Sequence, residues 1–462
     1  MIGAAACLVT GTGCVQYQAH VLQPPQIEAK LRARSLAADG LAEFVRVQLD
    51  KPELTWPPAN LEPETLTAIA WFFSNDLEVA RAKAETAAAA IITARQRINP
   101  SISGEGGRNK TPDSIATYAI SPSFIIETAG KRGLRILQAE KNAEAARIGV
   151  YETAWSVRTR VRNALASYAV ALTKLDSAQT EDKLRDEVFG IQQKRLDLGE
   201  AARPELTQAL AEKAAAAGAV RSAEGDVNRA LAEIAGTVGL PMAVVEKVPV
   251  NVSAFSAVER VAMEQAQGAG LQHRADIRRA LVAYEEVDTR LRLAIANQYP
   301  NISLNPGFTY QEGFPSYTLG SLLESLPILH KNQGPLAEQE AARKQAEAEF
   351  IALQARVLAE AETSVVRYRT ASAEWNAARE TLQKVGQEKL LATGTAFQRG
   401  DASRLDLTTA SLDTMGLRKV QDDAFEKLQA ALGALEDAMQ TPVWAAIPPP
   451  DLHTSKRAEK TK

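Results

Sequence analysis

The sequence predicts a mainly α protein with a small β part, built as two repeats of about 200 residues each. Each repeat carries long coiled-coil helices and two amphipathic strands, which gives four strands in the chain. Three observations support this. Short segments recur in register along the two halves of the 462 residues. Two stretches of about 65 residues contain no internal proline and no cluster of helix breakers. Aromatic residues make up only 5%, while Ala, Glu, Gln, Leu and Arg dominate. That mixture favours long helices packed through small side chains over several compact cores.

The repeat sets the domain organisation. "NDLEVARA" from Asn75 aligns with "ADIRRALV" from Ala275, pairing Asp76 with Asp276 and Ala80 with Ala280 at an offset of 200. "NPSIS" at 99–103 falls on "YPNIS" at 299–303, and Tyr168 falls on Tyr368, at the same offset. After one inserted residue Gly199 matches Gly400, Leu206 matches Leu407, Ala209 matches Ala410 and Pro241 matches Pro442. The chain therefore divides into a signal-type segment (1–14), an N-terminal extension (15–70) and a first repeat (71–242). A connecting segment (243–270), a second repeat (271–443) and a disordered polar tail (444–462) follow.

Within each repeat the elements run helix, strand, loop, strand and two long helices. The first helix, about 64–98 or 274–298, stops at Pro100 or Pro300, because proline ends a helical run and begins an extended one. The strand after Pro300 is the clearest. Ile302, Leu304, Phe308 and Tyr310 point one way, and Asn301, Ser303, Asn305, Thr309 and Gln311 point the other. Its length suits the roughly 9–11 residues of a tilted membrane-barrel strand. Phe314 and Tyr317 are expected to continue it as an aromatic girdle. The other strands are expected at about 101–109, 115–126 and 316–326.

The long helices are expected at about 134–198 and 335–399. A helix of 65 residues is about 98 Å long, beyond any compact globule. In the second, apolar residues at Phe350, Leu353, Val357, Ala361, Val365, Tyr368, Ala371, Trp375, Ala378, Leu382 and Val385 recur about every 3.5 residues. That spacing implies left-handed supercoiling. Return helices follow at about 204–236 and 403–439. Between the legs lie "LGEAARPELTQA" and "RGDASRLDLTTA", where Gly199 and Gly400 suit a left-handed C-cap. Pro204 and Ser403 suit the next helix start. Both segments thus read as tight hairpin tips at one end of the molecule.

Composition excludes several classes. A net charge of −3 implies no polyanion partner, so no nucleic acid is expected. No run of eighteen apolar residues occurs, so no membrane-spanning helix is expected. The two cysteines are Cys7 and Cys14, which leaves the body without disulfides or thiol chemistry. "MIGAAACLVTGTGC" is short and apolar like the later part of a secretory signal, and "TGTGC" resembles a lipoprotein signal that would make Cys14 the lipidated residue. No Lys or Arg precedes the apolar run, and Gly11 stands where Leu is usual. The alternative is an ordinary signal with an incidental cysteine.

No chemistry is expected. His20, His273, His330 and His453 are scattered, and His330 reads as part of a strand-to-helix turn. Met242, Met263, Met415 and Met439 form no thioether cluster, so no metal site and no cofactor are expected. "GEGGRN" at 104–109 leads into a loop and not a helix, which is wrong for a phosphate cradle. No nucleophile, base and acid come together in the pattern, so an enzyme is not expected.

With the duplicated half, the two tip strings and "LPILHKNQG" at 326–334, the sequence resembles the TolC family of outer-membrane efflux ducts over about residues 55–443. "LPILHKNQG" and "IETAGKRG" at 126–133 are similar to its CzcC-like branch, which serves divalent-metal and related exporters. The resemblance implies a homotrimer. Three chains would pool their strands into a twelve-stranded barrel among outer-membrane lipid, above a periplasmic α-helical barrel. It implies a periplasmic adaptor docking at the tips, at Gly199, Glu200 and Leu206 and at Gly400, Asp401 and Leu407, and behind it an inner-membrane pump of the RND or another type. Asp406 matches an aspartate that narrows the closed end in this family, with Glu205 its counterpart; the family's second acid is replaced by Thr409. The other reading of Asp406 and Glu205 is that they only favour a helix N-terminus through its dipole. The implied function is a passive efflux channel, possible cargo including heavy-metal cations. A periplasmic adaptor protein and a coiled-coil scaffold without a pore are the alternatives.

Overall fold

A computed structural model describes residues 17–108, 116–256, 274–311, 313–324 and 328–442. Along the chain run α1 (Pro24–Arg32), α2 (Leu41–Leu49), α3 (Pro63–Phe73), α4 (Asn75–Arg95), β1 (Ser101–Gly107) and β2 (Thr117–Ile126). The first long hairpin is α5 (Lys131–Asp197) and α6 (Arg203–Val238), followed by two single-turn helices, α7 (Met242–Val245) and α8 (Ser253–Ser256). Then come α9 (Ala275–Ala296), β3 (Asn301–Gln311) and β4 (Phe314–Glu324). The second hairpin is α10 (Gln333–Thr381), a π-turn (Leu382–Gly386), α11 (Gln387–Arg399) and α12 (Arg404–Met439). The order of helix, strand pair and hairpin thus occurs twice.

The helix expected over 64–98 is two. The α3 helix ends at Phe73, and Ser74, with extended backbone, accepts a hydrogen bond from Leu77 N–H at 3.2 Å to start α4. A serine followed three residues later by an unsatisfied amide is an N-cap, and the apolar periodicity on both sides hides it. The α3 helix belongs to the core: Leu66, Ile69 and Trp71 are buried against Val150, Ala154, Val157, Val161 and Leu165 of α5 and Ile234 and Val238 of α6. Trp71 Nε1 donates to Ala154 O at 2.9 Å, so its one polar atom is satisfied. Residues of the expected N-terminal extension therefore fill this core. Leu61 completes it by exchanging backbone hydrogen bonds with Pro249 and Asn251.

Through that core and beyond it the helices meet through a seven-residue repeat. In α5 Ala143, Val150, Val157, Ala164 and Ala171 are buried, and in α6 Ala209, Ala216, Ala223 and Ala230. In α12 the repeat is Thr408, Met415, Asp422, Gln429 and Glu436. Seven residues per two turns is 3.5 per turn, the condition for left-handed coiling. The alanine row on α6 lets the backbones of the first hairpin approach closely. The α5 helix packs along α4, α6, α9 and α12, and α12 also packs along α10 and α11. Val385, expected on the seam of the second hairpin, is 55% exposed, and Gly386 of the π-turn is buried instead.

Candidate functional site

Two regions concentrate features that a structural core does not need: the sheet and the helical tips. The four strands form one antiparallel sheet in the order β1-β2-β3-β4. Register aligns side chains in rows, with Ile126, Ile302 and Leu323 in one, Ile120, Phe308 and Tyr317 in another, and Tyr118 beside Tyr310. Tyr118 stacks on Tyr310 at 5.0 Å and Phe308 packs on Tyr317 at 5.3 Å. The opposite face carries Ser101, Ser103, Glu105, Ser121, Ser123, Asn301, Asn305, Thr309, Ser316 and Thr318. Because a strand alternates, one register error would exchange the faces.

The polar side is the more crowded at the central strands. Ser303 is buried there, and a Cβ on Gly307 would stand 2.7 Å from Thr318 Oγ1 and 2.8 Å from Ser121 Oγ. On the apolar face Ile102, Tyr317 and Leu319 are more than three-quarters exposed. Tyr317 lies in the aromatic cluster as expected. Phe314 does not: it pairs with Gln311, which places it on the polar face. Among the described residues neither β1 nor β4 has a second neighbour, so both outer edges present unpaired backbone groups.

At the other end, each hairpin turns on a left-handed glycine. Gly199 has φ 78° and Gly400 φ 84°, where a side chain is strained. Glu200 N–H bonds Arg195 O at 2.8 Å and Asp401 N–H bonds Ala396 O at 2.9 Å, each closing its helix end. Glu200 and Asp401 are exposed, and Leu206 and Leu407 are half-buried one turn into the returning helices.

The two tips differ in how the returning helix starts. Ala202 caps α6 without a side-chain bond, and Pro204 occupies the first turn. Ser403 caps α12 in a capping box. Its Oγ accepts from Asp406 N–H at 3.2 Å and donates to Asp406 Oδ2 at 2.7 Å, while its N–H donates to that same oxygen at 2.8 Å. The hydroxyl and then the backbone N–H of Ser403 hold the Asp406 carboxyl below its usual range. Asp406 thus caps the helix as an anion, through one of its two oxygens. Among the described residues Glu205 pairs with Arg195, at 3.8 Å.

The hairpins are joined along α5 and α12 by ion pairs whose polarity reverses. Toward the tips α5 supplies acids, with Asp176 facing Arg418, Glu181 facing Lys419 and Glu187 facing Arg404. Toward the core it supplies bases, with Lys174 between Asp423 and Glu426 and the buried pair Arg158 and Arg162 around Glu436 at 3.5 Å. Arg162 also donates to Gln429 O at 2.6 Å. Burial pushes its guanidinium down to about 10, with Glu436 opposing the shift. At the crossover Ser177 donates to Asp422 at 2.5 Å, and burial pushes that carboxyl up. A slip by one turn would set like charges together, so the ladder fixes register. Glu187 and Arg404 escaped the sequence reading, although an arginine beside a tip acid was a signal that could have found them.

Cys14, His273 and His453 lie outside the described residues, as do Met263, the tail after 442 and much of the connecting segment. His330 is exposed in the loop before α10. Among the described residues no group of three or more His, Cys, Asp or Glu side chains is placed to hold a metal ion. No helix there is long and apolar enough to cross a membrane.

No protein-family model and no curated protein matches this sequence. Solved structures do match. CusC is 18% identical with a TM-score of 0.66, covering 82% of this chain and 92% of its own. The outer membrane protein VceC from Vibrio cholerae is also 18% identical with a TM-score of 0.66, covering 82% of this chain and 96% of its own. The Campylobacter jejuni CmeC outer membrane channel is 14% identical with a TM-score of 0.66 over 97% of both chains. The class defined by amphipathic sheet, long hairpins and tips is therefore the outer-membrane channel fold. The fold is that of the TolC family, whose members these neighbours are, as the tip strings led us to expect.

Proposed function

We propose that the protein is the passive outer-membrane channel of a tripartite efflux system. The carrying observation is the sheet, apolar on one face, mainly polar on the other and, among the described residues, unpaired at both edges. Lipid tolerates no unpaired strand edge, so the sheet needs partners, and three copies of four strands would close a twelve-stranded barrel with a polar lumen. The helical hairpins would then form a periplasmic conduit, with Cys14 as lipid anchor. A periplasmic adaptor would meet the tips at Gly199, Glu200, Leu206, Gly400, Asp401 and Leu407 and connect them to an inner-membrane pump. A single-hairpin adaptor has no use for two hairpins and a sheet of this polarity, and a poreless scaffold has no use for the sheet.

In this reading Asp406 and Glu205 are the candidate gate, and opening separates the tips along the α5–α12 ladder. Three Asp406 side chains would form an acidic ring through the oxygen the capping box leaves over, attracting cations. The CzcC-like strings favour divalent metal cations as cargo, with selection made by the pump. The test is extraction from membranes with detergent followed by incorporation into a planar bilayer. A heat-modifiable trimer that conducts ions supports the channel, and a water-soluble monomer without conductance defeats it.

A further inference from the structure

Between matched positions the second hairpin is one residue longer than the first, 32 steps from Tyr368 to Gly400 against 31 from Tyr168 to Gly199, and the structure shows where its packing step changes. Val357, Ser364, Ala371 and Ala378 are buried at seven-residue steps, and the next buried residue is Gly386, eight further on. The change of repeat offset, from 200 at Tyr168 and Tyr368 to 201 at Gly199 and Gly400, falls in a span that includes this step. Gln387 N–H reaches back to Leu382 O, five residues away, where an α-helix would reach four. A residue inserted into an α-helix swings everything beyond it by about 100°. A π-turn takes the residue up locally, so the helix on each side keeps its face toward its partner. The facing row on α12, from Thr408 to Glu436, keeps its step of seven throughout, so only one leg of the pair is interrupted.

Packing is thin at that level. A groove of about 480 Å³ opens between α10 and α12 beside Ala378, Thr381 and Leu417. Below the turn α11 has no buried residue. Gly386 lies close to α12, where a Cβ would stand 3.1 Å from Thr414 Cγ2. The α5 helix runs past the equivalent level unbroken over its 67 residues.

We propose that the π-turn at Leu382–Gly386 is a hinge, made by a one-residue insertion, about which α11 and the Gly400 tip lean away from the first hairpin. Its role in gating rests on the channel reading; its existence as a soft joint does not. Interrupted hydrogen bonding and thin packing give local opening a low free energy, and π-turns recur where helices must bend.

Hydrogen exchange on the assembled full-length protein tests the joint. Amides at 382–387 are expected to exchange at least about tenfold faster than those at 182–186 of α5. Deleting Val385, which is exposed, restores the step of seven and is expected to erase that difference. In planar bilayers the deletion is expected to lower the frequency of spontaneous openings several-fold. Equal exchange in the two helices of the unmodified protein overturns the proposal. So does a deletion variant that misfolds, since the flanks are held to keep their phase without Val385. A protein that never conducts defeats the channel reading, while the exchange comparison still decides the hinge.

Discussion

Arg404, in the first turn of α12, donates from Nε to Oε1 of Glu187 on α5, and so clasps the second hairpin to the first just behind the tips. The Arg404 hydrogen bond holds the Glu187 carboxyl below its usual range. Arg404 is half exposed, so the pair contributes little to global stability: Glu187→Gln is expected to change it by under about 1 kcal/mol. The local effect is larger in kind. If the protein is the proposed channel, the variant is expected to open more often in planar bilayers at low salt, and to lose that difference as salt screens the clasp in the unmodified protein. Equal opening of both proteins at low salt would remove the clasp from the gate.

The capping box makes the tip sensitive to acid. Ser403 lowers the Asp406 pKa, so the stabilisation is complete above the ordinary aspartate value of 3.8 and is lost as pH falls through the lower folded value. A fluorophore attached at Ala402 is expected to report one transition below that value. Ser403→Ala moves it upward toward the ordinary value. A transition that does not move would separate Asp406 from the cap.

Charge and cap at Asp406 can also be separated. Asp406→Asn keeps an oxygen for Ser403 and deletes the charge, whereas Asp406→Ala deletes both. If three Asp406 carboxylates line the gate, both variants lower cation preference in planar bilayers, and Ala also raises single-channel conductance. If Asp406 serves only the helix start, Asn leaves conductance and selectivity unchanged.

The buried cluster at the top of α12 sets a packing limit. A Cβ on Gly433 would stand 2.5 Å from Arg162 Nη1 and 2.6 Å from Asn163 Oδ1. Gly433→Ala is expected to cost about 1–3 kcal/mol by overpacking. Glu436→Gln, which withdraws the anion from between Arg158 and Arg162, is expected to cost about 3–5 kcal/mol. Thermal unfolding followed by circular dichroism ranks the two. A Glu436→Gln protein as stable as the original would show that the arginines are neutralised from elsewhere.

On the sheet, the two faces predict opposite tolerances. Ile102→Arg places a charge on the apolar face, at about 2–4 kcal/mol if it lies near the bilayer midplane. Glu105→Arg is on the polar face of the same strand and is expected to be tolerated. Membrane fractionation should find the first variant outside the outer membrane and the second within it.

Legibility in the sequence followed the strength of each local pattern. The β3 strand was readable because Ile302, Leu304, Phe308 and Tyr310 alternate with polar residues, whereas "SISGEGG" of β1 has one large apolar side chain and takes its place from pairing with β2. The tips were readable because glycine after a long proline-free run has few other uses. The helix break at Ser74 and the shifted step at Gly386 were not, since apolar residues continue across both and only hydrogen-bonding geometry marks them. At the tips Asp406 was placed, but its bond to Ser403 and the Arg404–Glu187 clasp depend on long-range packing of α5 against α12 that no spacing within one helix encodes.

The open rims of the sheet bear on how the protein matures. If the protein is the proposed channel, an isolated chain in the periplasm can complete its helices, but the outer amides and carbonyls of β1 and β4 stay satisfied only by water. On that reading encounter between copies would precede or accompany entry into lipid, and dilution should arrest biogenesis at a helical, uninserted stage. Yield in the envelope would then climb more steeply than in proportion to the rate of synthesis.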